Sequence, residues 1–255
     1  MPFWSARRLC AIAGLSALAA LAVAACGDAA PVNTIKVHVS LPKHPTWQST
    51  KKLGAWHTGG FVVSNNEWNQ SEAGPQTIWA NSYRSWGVVT RQGDTTSVKT
   101  YPCVKKYFDS TPLSSLTELT STFTEAMPPA KAGYDAEAAY DLWLDHYKIE
   151  VMVWVDNHGQ KPAGDVVAAA TFGGRRYELY QGGPHMFSFV LAGRQETTGQ
   201  ADLLGVLRWL VSHQRLSRTD TVTEVDFGWE VASTDADPMG FTMSSYSLTT
   251  RTASA

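Results

Sequence analysis

The chain has 255 residues, with 21 basic and 23 acidic side chains and a formal net charge of −2. This near balance excludes the strong positive field that proteins use to bind nucleic acid or an anionic membrane surface, so no nucleic-acid partner is expected. Because only 17% of the residues are charged and 10 are tryptophan, the composition predicts a large core with indole side chains left over for a ligand.

The first 25 residues have the layout of a secretory signal peptide. Arg7 and Arg8 precede an uncharged apolar run, residues 9–25, which is too short and too rich in alanine for a transmembrane helix. We therefore predict export. The run ends in a Val-Ala-Ala-Cys-Gly motif that resembles a bacterial lipobox, so Cys26 is the expected lipidation site and its lipid the expected membrane contact. Cleavage after the preceding Ala-Val-Ala motif would instead release a secreted, unanchored protein.

The cysteine count depends on the same choice. If Cys26 is acylated, Cys103 is the only thiol of the mature domain, because Cys10 leaves with the signal peptide. If Cys26 is not acylated, a disulfide between Cys26 and Cys103 is possible in an oxidising compartment.

The mature chain divides into a tether and one domain. Residues 26–53 are polar and contain three prolines, which predicts a tether with one strand at residues 34–39. Residues 54–255 have a length that suits a single domain, which we expect to be monomeric.

Short β-like segments separated by Gly, Asn, Asp and Ser fill most of this domain. They predict an all-β fold, a jelly-roll sandwich of two antiparallel sheets. The predicted strands cover residues 60–64, 77–81, 86–91, 97–101, 121–126, 138–144, 149–155, 166–172, 175–181, 186–191, 223–231 and 241–249.

One segment has helical periodicity. In residues 201–216, five apolar side chains fall at offsets 0, 1, 4, 7 and 8, which predicts one helix of about four turns packed against the back of the sandwich. Gly199 and the preceding Thr198 suggest its N-terminal boundary. Trp209 on this helix and Trp229 are assigned to the core.

Two predicted strands carry a glutamate on one face. In residues 149–155, β-branched side chains alternate with Glu150, Met152 and Trp154, which places the carboxylate on the same face as two large side chains, away from the core. In residues 227–232, Glu230 lies between two small residues that would leave room for a ligand. A carboxylate among apolar groups is costly to keep for structure alone, so both glutamates are candidates for function.

A third acidic residue fits beside them. Asp141 shares a face with Trp143, and a short hairpin at residues 145–148 would pair its strand with the strand of Glu150. Asp141 could then donate a hydrogen bond to Glu150 and tune its basicity. Two such glutamates on concave strands are the residues that glycosidic bond hydrolysis requires, one as proton donor and one as nucleophile or base.

These residues resemble glycoside hydrolase family 12, the jelly-roll endoglucanases and xyloglucanases. The resemblance covers about residues 55–250, and its pieces follow one another along the chain. They are residues 61–68 with an Asn-Asn-Glu-Trp motif, Tyr101-Pro102, residues 139–145, the Glu-Val-Met-Val-Trp motif at 150–154, residues 162–164, 173–180 and 187–190, the Phe-Gly-Trp-Glu motif at 227–230, and residues 241–248.

The resemblance implies roles for the candidate residues. Glu150 matches the nucleophile of the family, Glu230 the general acid/base and Asp141 the residue that supports the nucleophile, in a mechanism that retains anomeric configuration. The residues it places at the substrate are Asn66, Trp68, Met152, Pro162 and Trp154, to which Trp56 is added as a further stacking platform. Sugar rings present apolar faces that pack well against indole.

The expected function is therefore that of an exported endo-β-1,4-glucanase that needs no cofactor or metal and acts on a β-glucan polysaccharide. Two alternatives remain open. One is a cell-surface carbohydrate-binding lipoprotein without catalysis, against which the two retained glutamates argue. The other is a hydrolase of an envelope polysaccharide, for which a lipid anchor would make sense.

Overall fold

The structure, a computed structural model, describes residues 41–253. The predicted signal peptide, the lipidation site at Cys26 and the strand predicted at residues 34–39 lie outside this range. Within it, no helix is long and apolar enough to cross a bilayer.

Strands dominate the described chain, in which one α-helix, α1 (Leu203–Ser212), interrupts them. The strands are β1 (Trp47–Ser49), β2 (Ala55–Thr58), β3 (Phe61–Ser64), β4 (Gln76–Ser82), β5 (Ser85–Thr90), β6 (Cys103–Pro112), β7 (Leu116–Ala126), β8 (Tyr134–Leu144), β9 (Ile149–His158), β10 (Asp165–Phe172), β11 (Arg175–Gly183), β12 (Met186–Leu191), β13 (Thr198–Asp202), β14 (Thr221–Thr234) and β15 (Met239–Thr252).

The strands form two sheets, which confirms the predicted all-β jelly-roll sandwich. The six-stranded sheet has the order β1-β4-β5-β15-β7-β13, and the nine-stranded sheet has the order β10-β11-β12-β9-β8-β14-β6-β3-β2. Neighbouring strands are antiparallel except for β12 and β9, which run parallel. Strand alternation explains the layering, because one side of each central strand is apolar and packs into the core between the sheets.

The helix is shorter than predicted and begins later. Residues Thr198–Asp202 form β13 beside β7, so Gly199 lies inside a strand and does not mark the start of the helix. The helix begins instead where the side chain of Asp202 accepts a hydrogen bond of 2.8 Å from the backbone N–H of Gly205. Its apolar side joins the core between the sheets, where Trp209 packs edge-on against Phe189, as a core assignment predicts.

The sequence did not predict four of the observed strands. Two of them, β6 and β13, are rich in polar residues, and the other two, β1 and β2, are very short. The segment at residues 97–101 forms only an isolated bridge through Thr100. The tether boundary at residue 53 is also corrected, because β1 already pairs with β4 inside the sandwich. Alternation could not reveal these strands, since their pairing is decided by neighbours distant in sequence.

Candidate active site

The side of the nine-stranded sheet turned away from the core, here called the outer face, carries all three predicted catalytic residues. Three adjacent strands supply them. The outer-face residues of these strands are Glu137, Ala139, Asp141 and Trp143 on β8, Glu150, Met152 and Trp154 on β9, and Glu224, Asp226, Gly228 and Glu230 on β14.

The strand register brings Asp141 and Glu150 together as diagonal neighbours. Asp141 lies directly opposite Met152 on β9, and Glu150 lies opposite Trp143 on β8. The hairpin that joins the two strands has Asp145, His146 and Tyr147 with positive φ, as a tight reversal of the chain requires. The short hairpin predicted from the sequence is confirmed.

Glu150 and Glu230 interact electrostatically. Burial, together with the charge of Glu230, raises the pKa of Glu150 from its ordinary 4.5 to about 7. Burial also raises the pKa of Glu230. Both side chains remain partly exposed, so both can reach a bound substrate.

Asp141 is buried and lies near enough to Glu150 for their charges to interact. Burial raises its pKa well above the ordinary value, and the charge of Glu150 adds to the shift. Within residues 41–253 no hydrogen bond joins Asp141 to Glu150, and the Oδ1 atom of Asp141 has no partner. The contact is therefore electrostatic in this structure, and Asp141 holds an unused polar atom beside the nucleophile candidate.

Gly228, two residues before Glu230, makes room for another segment of the protein. This corrects the expectation that the space beside it is free for a ligand. A Cβ atom at Gly228 would lie 2.1 Å from the carbonyl oxygen of Pro102. The neighbouring Tyr101 hydroxyl donates a hydrogen bond of 3.0 Å to the carbonyl of Ala139 on β8. Glycine is thus required at position 228 because another segment of the chain packs directly against it.

A cation lies further along the outer face. The ammonium group of Lys105 on β6 donates hydrogen bonds of 2.6 Å to the carboxylates of Glu224 and Asp226. Glu224 also accepts a hydrogen bond of 2.7 Å from the hydroxyl of Tyr147. Asp226 lies opposite Asp141 across the strand register. These ion pairs hold Lys105, Glu224 and Asp226 together next to Asp141 on the outer face. Among the described residues, no cluster of three or more His, Cys, Asp or Glu could hold a metal ion.

The predicted substrate-binding residues divide into buried and exposed groups. Met152 and Trp154 pack with Ala139 in a small apolar cluster on the outer face. Trp68 follows β3 and leaves 51% of its surface exposed, while Asn66 before it adopts a positive φ of 39°. Pro162 is half-buried in the connection between β9 and β10.

Trp56 does not lie with the other predicted substrate-binding residues. It lies opposite Val63, which belongs to the core, and it packs against the core with its ring stacked 6.1 Å from that of Trp47. The stacking role predicted for Trp56 is therefore wrong for the outer face. The two-residue period of a strand gives each residue a side but does not say which side of a short edge strand is the core.

Comparison with known proteins agrees with this geometry. The model of the family described as "Glycosyl hydrolase family 12" matches residues 59–251. The chain belongs to this family. A xyloglucan-specific endo-beta-1,4-glucanase A of Emericella nidulans is 32% identical over 218 residues, which cover 76% of this chain and 89% of that protein. A xyloglucan-specific endo-beta-1,4-glucanase 1 of Phytophthora sojae is 24% identical over 86% of this chain and 90% of its own length.

Solved structures agree with the fold. The xyloglucanase domain of NopAA, a type three effector from Sinorhizobium fredii in complex with cellobiose, superposes with a TM-score of 0.74 and 26% identity, covering 82% of this chain and all of that one. A family 12 xyloglucanase from Bacillus licheniformis gives a TM-score of 0.68 at 23% identity, covering 80% of this chain and all of that one. The protein is a glycoside hydrolase.

The coupled glutamates of this family 12 hydrolase predict a bell-shaped dependence of kcat/KM on pH. If Glu150 is the nucleophile, activity requires its ionised form, so the acid limb should lie above pH 4.5 because burial raises the pKa of Glu150. A protonated Glu230 carries no charge, so Glu230→Gln should keep the acid limb and lose the basic limb. A basic limb that persists in Glu230→Gln would contradict the assignment of that limb to Glu230.

Sequence reasoning missed four polar residues of the outer face of this hydrolase. Glu224 and Asp226 alternate with Glu230, so the same two-residue period could have found them. Glu137 was not identified because the predicted strand began one residue after it, at residue 138. Lys105 belongs to the missed strand β6, and no local pattern marked it.

Proposed function

We propose that the protein is a retaining endo-β-1,4-glucanase that cleaves internal bonds of a β-glucan, with xyloglucan as its substrate class. The observation that carries the proposal is the electrostatic coupling of Glu150 and Glu230 on one exposed face of the nine-stranded sheet. The relatives named for xyloglucan cleavage support the choice of substrate.

In the proposed mechanism, the carboxylate of Glu150 attacks the anomeric carbon while Glu230 gives its proton to the departing glycosidic oxygen. The carbon–oxygen bond to the leaving sugar breaks, and a glycosyl ester forms on Glu150. Water then attacks the same carbon, Glu230 takes the proton of the water, and Glu150 leaves as a carboxylate. Two inversions give net retention.

Asp141 supports the first step in this proposal. Burial raises its pKa and favours the neutral form, which adds no second negative charge beside Glu150. The carboxyl O–H of Asp141 donates a hydrogen bond to the Glu150 carboxylate once substrate binding orders the two side chains, and the Oδ1 atom of Asp141 has no other partner among the described residues.

We assign the substrate contacts to Asn66, Trp68, Met152, Trp154 and Pro162. Trp154 supports this assignment because its indole N–H is buried at the outer face and has no hydrogen-bond partner among the described residues. A sugar hydroxyl could accept that hydrogen bond. Trp68 offers an exposed indole face against which a sugar ring can pack.

Replacing Trp68 with alanine is expected to raise KM for the polysaccharide roughly tenfold, because a lost sugar–indole contact is worth about 1.4 kcal/mol. The value of kcat should change little. Trp56→Ala is the matched control, since Trp56 packs inside and should lower the free energy of unfolding by about 2 kcal/mol instead. Initial rates and denaturant unfolding check both variants, and a KM effect confined to Trp56→Ala would reverse the assignment.

The proposed function is tested by incubating the purified protein with xyloglucan, mixed-linkage glucan, carboxymethyl cellulose, xylan and envelope glycans, with release of reducing ends as the readout. Cleavage of xyloglucan with a rapid fall in chain length supports the proposal. Binding without cleavage would favour a carbohydrate-binding lipoprotein, and selective cleavage of envelope glycan would favour an envelope hydrolase.

We also propose that the protein is exported as a monomer and held at the cell membrane by a lipid on Cys26. The charge-free run of residues 9–25 and the lipobox-like motif support this. The intact mass of the membrane-extracted protein checks it, since an unmodified cysteine would contradict acylation.

A further inference from the structure

Glu230 has a carboxyl neighbour that the mechanism above does not use. Glu137 on β8 lies directly opposite Glu230 on β14, the position at which Cβ atoms of antiparallel strands are about 5 Å apart. The two carboxyl groups affect one another, since Glu230 raises the pKa of Glu137 further and Glu137 in turn lowers that of Glu230. Glu137 is 0% exposed whereas Glu230 is partly exposed, so only Glu230 can touch a substrate.

Within the described part of the chain, no cation compensates this pair. The titratable groups around it are Asp141 on β8, Glu150 on β9 and Tyr101 before β6, all of which are neutral or negative. Among residues 41–253, no Lys, Arg or His forms an ion pair with either Glu137 or Glu230.

The buried ammonium of Lys99, on the segment that bridges to β14, is occupied elsewhere. Its N–H groups donate to the carbonyls of Ala232 and Gly93 and to the hydroxyl of Thr95. Tyr134, next along β8 from this site, contributes only a neutral hydroxyl, and its pKa is itself raised by burial. Asn157, opposite Glu137 on β9, is not titratable.

Two ionised carboxylates cannot share such a place. Both would accept hydrogen bonds and neither would donate, so their contact is attractive only when one of them carries a proton. No N–H or O–H group of another described residue donates to either oxygen of Glu137. An ionised Glu137 would therefore be an uncompensated buried charge, and burial raises its pKa well above the ordinary value.

We propose that Glu137 is a positioning residue that stays protonated throughout the reaction and donates its O–H to the carboxylate of Glu230. The proposal rests on the assignment of Glu230 as the general acid/base. Glu230 must lose its proton to the leaving sugar and then act as a base, yet its burial disfavours the ionised form. The hydrogen bond from Glu137 offsets that penalty, so Glu230 is a stronger acid and its carboxylate persists until water arrives.

Two substitutions separate this role from packing. In Glu137→Gln, the amide still donates to Glu230, so kcat/KM and the basic limb of its pH profile should stay close to the wild type. In Glu137→Leu, the donor is lost and the basic limb should rise by about one pH unit. The loss of kcat/KM should be about tenfold on the polysaccharide and smaller on an activated aryl glycoside, whose leaving group needs no proton. Glu118→Gln on β7 is the control for a glutamate change outside the site.

The outcomes are distinct. A basic limb that falls in both Glu137 variants would mean that Glu137 acts as a charge and would overturn the proposal. A basic limb unchanged in Glu137→Leu would show that Glu137 has only a packing role and would overturn the proposal. If Glu137→Leu does not fold, the protonation state of Glu137 in the wild-type protein decides, because an ionised Glu137 cannot donate a hydrogen bond.

A measurement without turnover keeps this proposal separate from the proposed function. In protein labelled with ¹³C at the glutamate carboxyl, the Glu137 signal, assigned by its absence in Glu137→Gln, should remain that of a protonated acid at pH 7. An ionised Glu137 would overturn the proposal even in an active enzyme. A protonated Glu137 in a protein that cleaves no β-glucan would leave the pair intact and refute the function alone.

Discussion

Glu150→Ala is expected to lower β-glucan hydrolysis on the order of 10⁴-fold while the fold remains intact, because no other group can form the glycosyl ester. Glu150 lies opposite Trp143 at the outer face and is only partly exposed, so its removal opens a small space beside the anomeric carbon. Azide should enter this space and restore cleavage of an activated aryl glycoside in a single displacement. The product should be the glycosyl azide of inverted configuration.

The control for Glu150→Ala is Glu118→Ala, a glutamate of the six-stranded sheet paired with Arg251 at 3.0 Å. It should keep full activity. Circular dichroism and thermal unfolding check that both variants fold. Wild-type turnover by Glu150→Ala, or an azide product of retained configuration, would show that Glu150 is not the nucleophile.

Glu230→Ala is expected to lower hydrolysis of polysaccharide on the order of 10³-fold, because an alkoxide leaving group must be protonated as it departs. An aryl glycoside with an acidic phenol does not need that proton, so its first step should survive and a glycosyl-enzyme should accumulate on Glu150. Azide should then release a glycosyl azide of retained configuration. Intact mass spectrometry detects the covalent intermediate.

The decisive comparison is the configuration of the glycosyl azide, which should be inverted for Glu150→Ala and retained for Glu230→Ala. Equal losses on polysaccharide and on the activated substrate would remove Glu230 from proton transfer. Absence of the intermediate in Glu230→Ala, with normal folding, would contradict double displacement.

Strand alternation predicted the arrangement of the central strands well. It placed Glu150, Asp141 and Glu230 opposite the apolar side chains of their strands, and in the structure those apolar side chains fill the core. When one side of a strand is buried, the pairing register of that strand is fixed, since a shift of one position would turn its carboxylates into the core. The same alternation of apolar and polar residues predicted the sandwich.

Alternation failed where long-range contacts decide the structure. Trp56 turns to the core because β2 is an edge strand that pairs with β3, and Gly228 is glycine because Pro102 packs against it. The helix begins at Leu203 because residues before it pair with β7. None of these contacts leaves a periodic signal, since each partner is remote in sequence.

The sequence by itself determined the all-β sandwich and the shared face of the three predicted catalytic residues, because side-chain polarity along a strand has a fixed period of two. Only the tertiary structure decided which charged groups become neighbours. The pairing of Glu137 with Glu230, the contact of Glu150 with Asp141 and the attachment of Lys105 to Asp226 depend on the order and register of strands. Charge and burial at these sites arise from neighbours, and neighbours are fixed only when the sheet has formed.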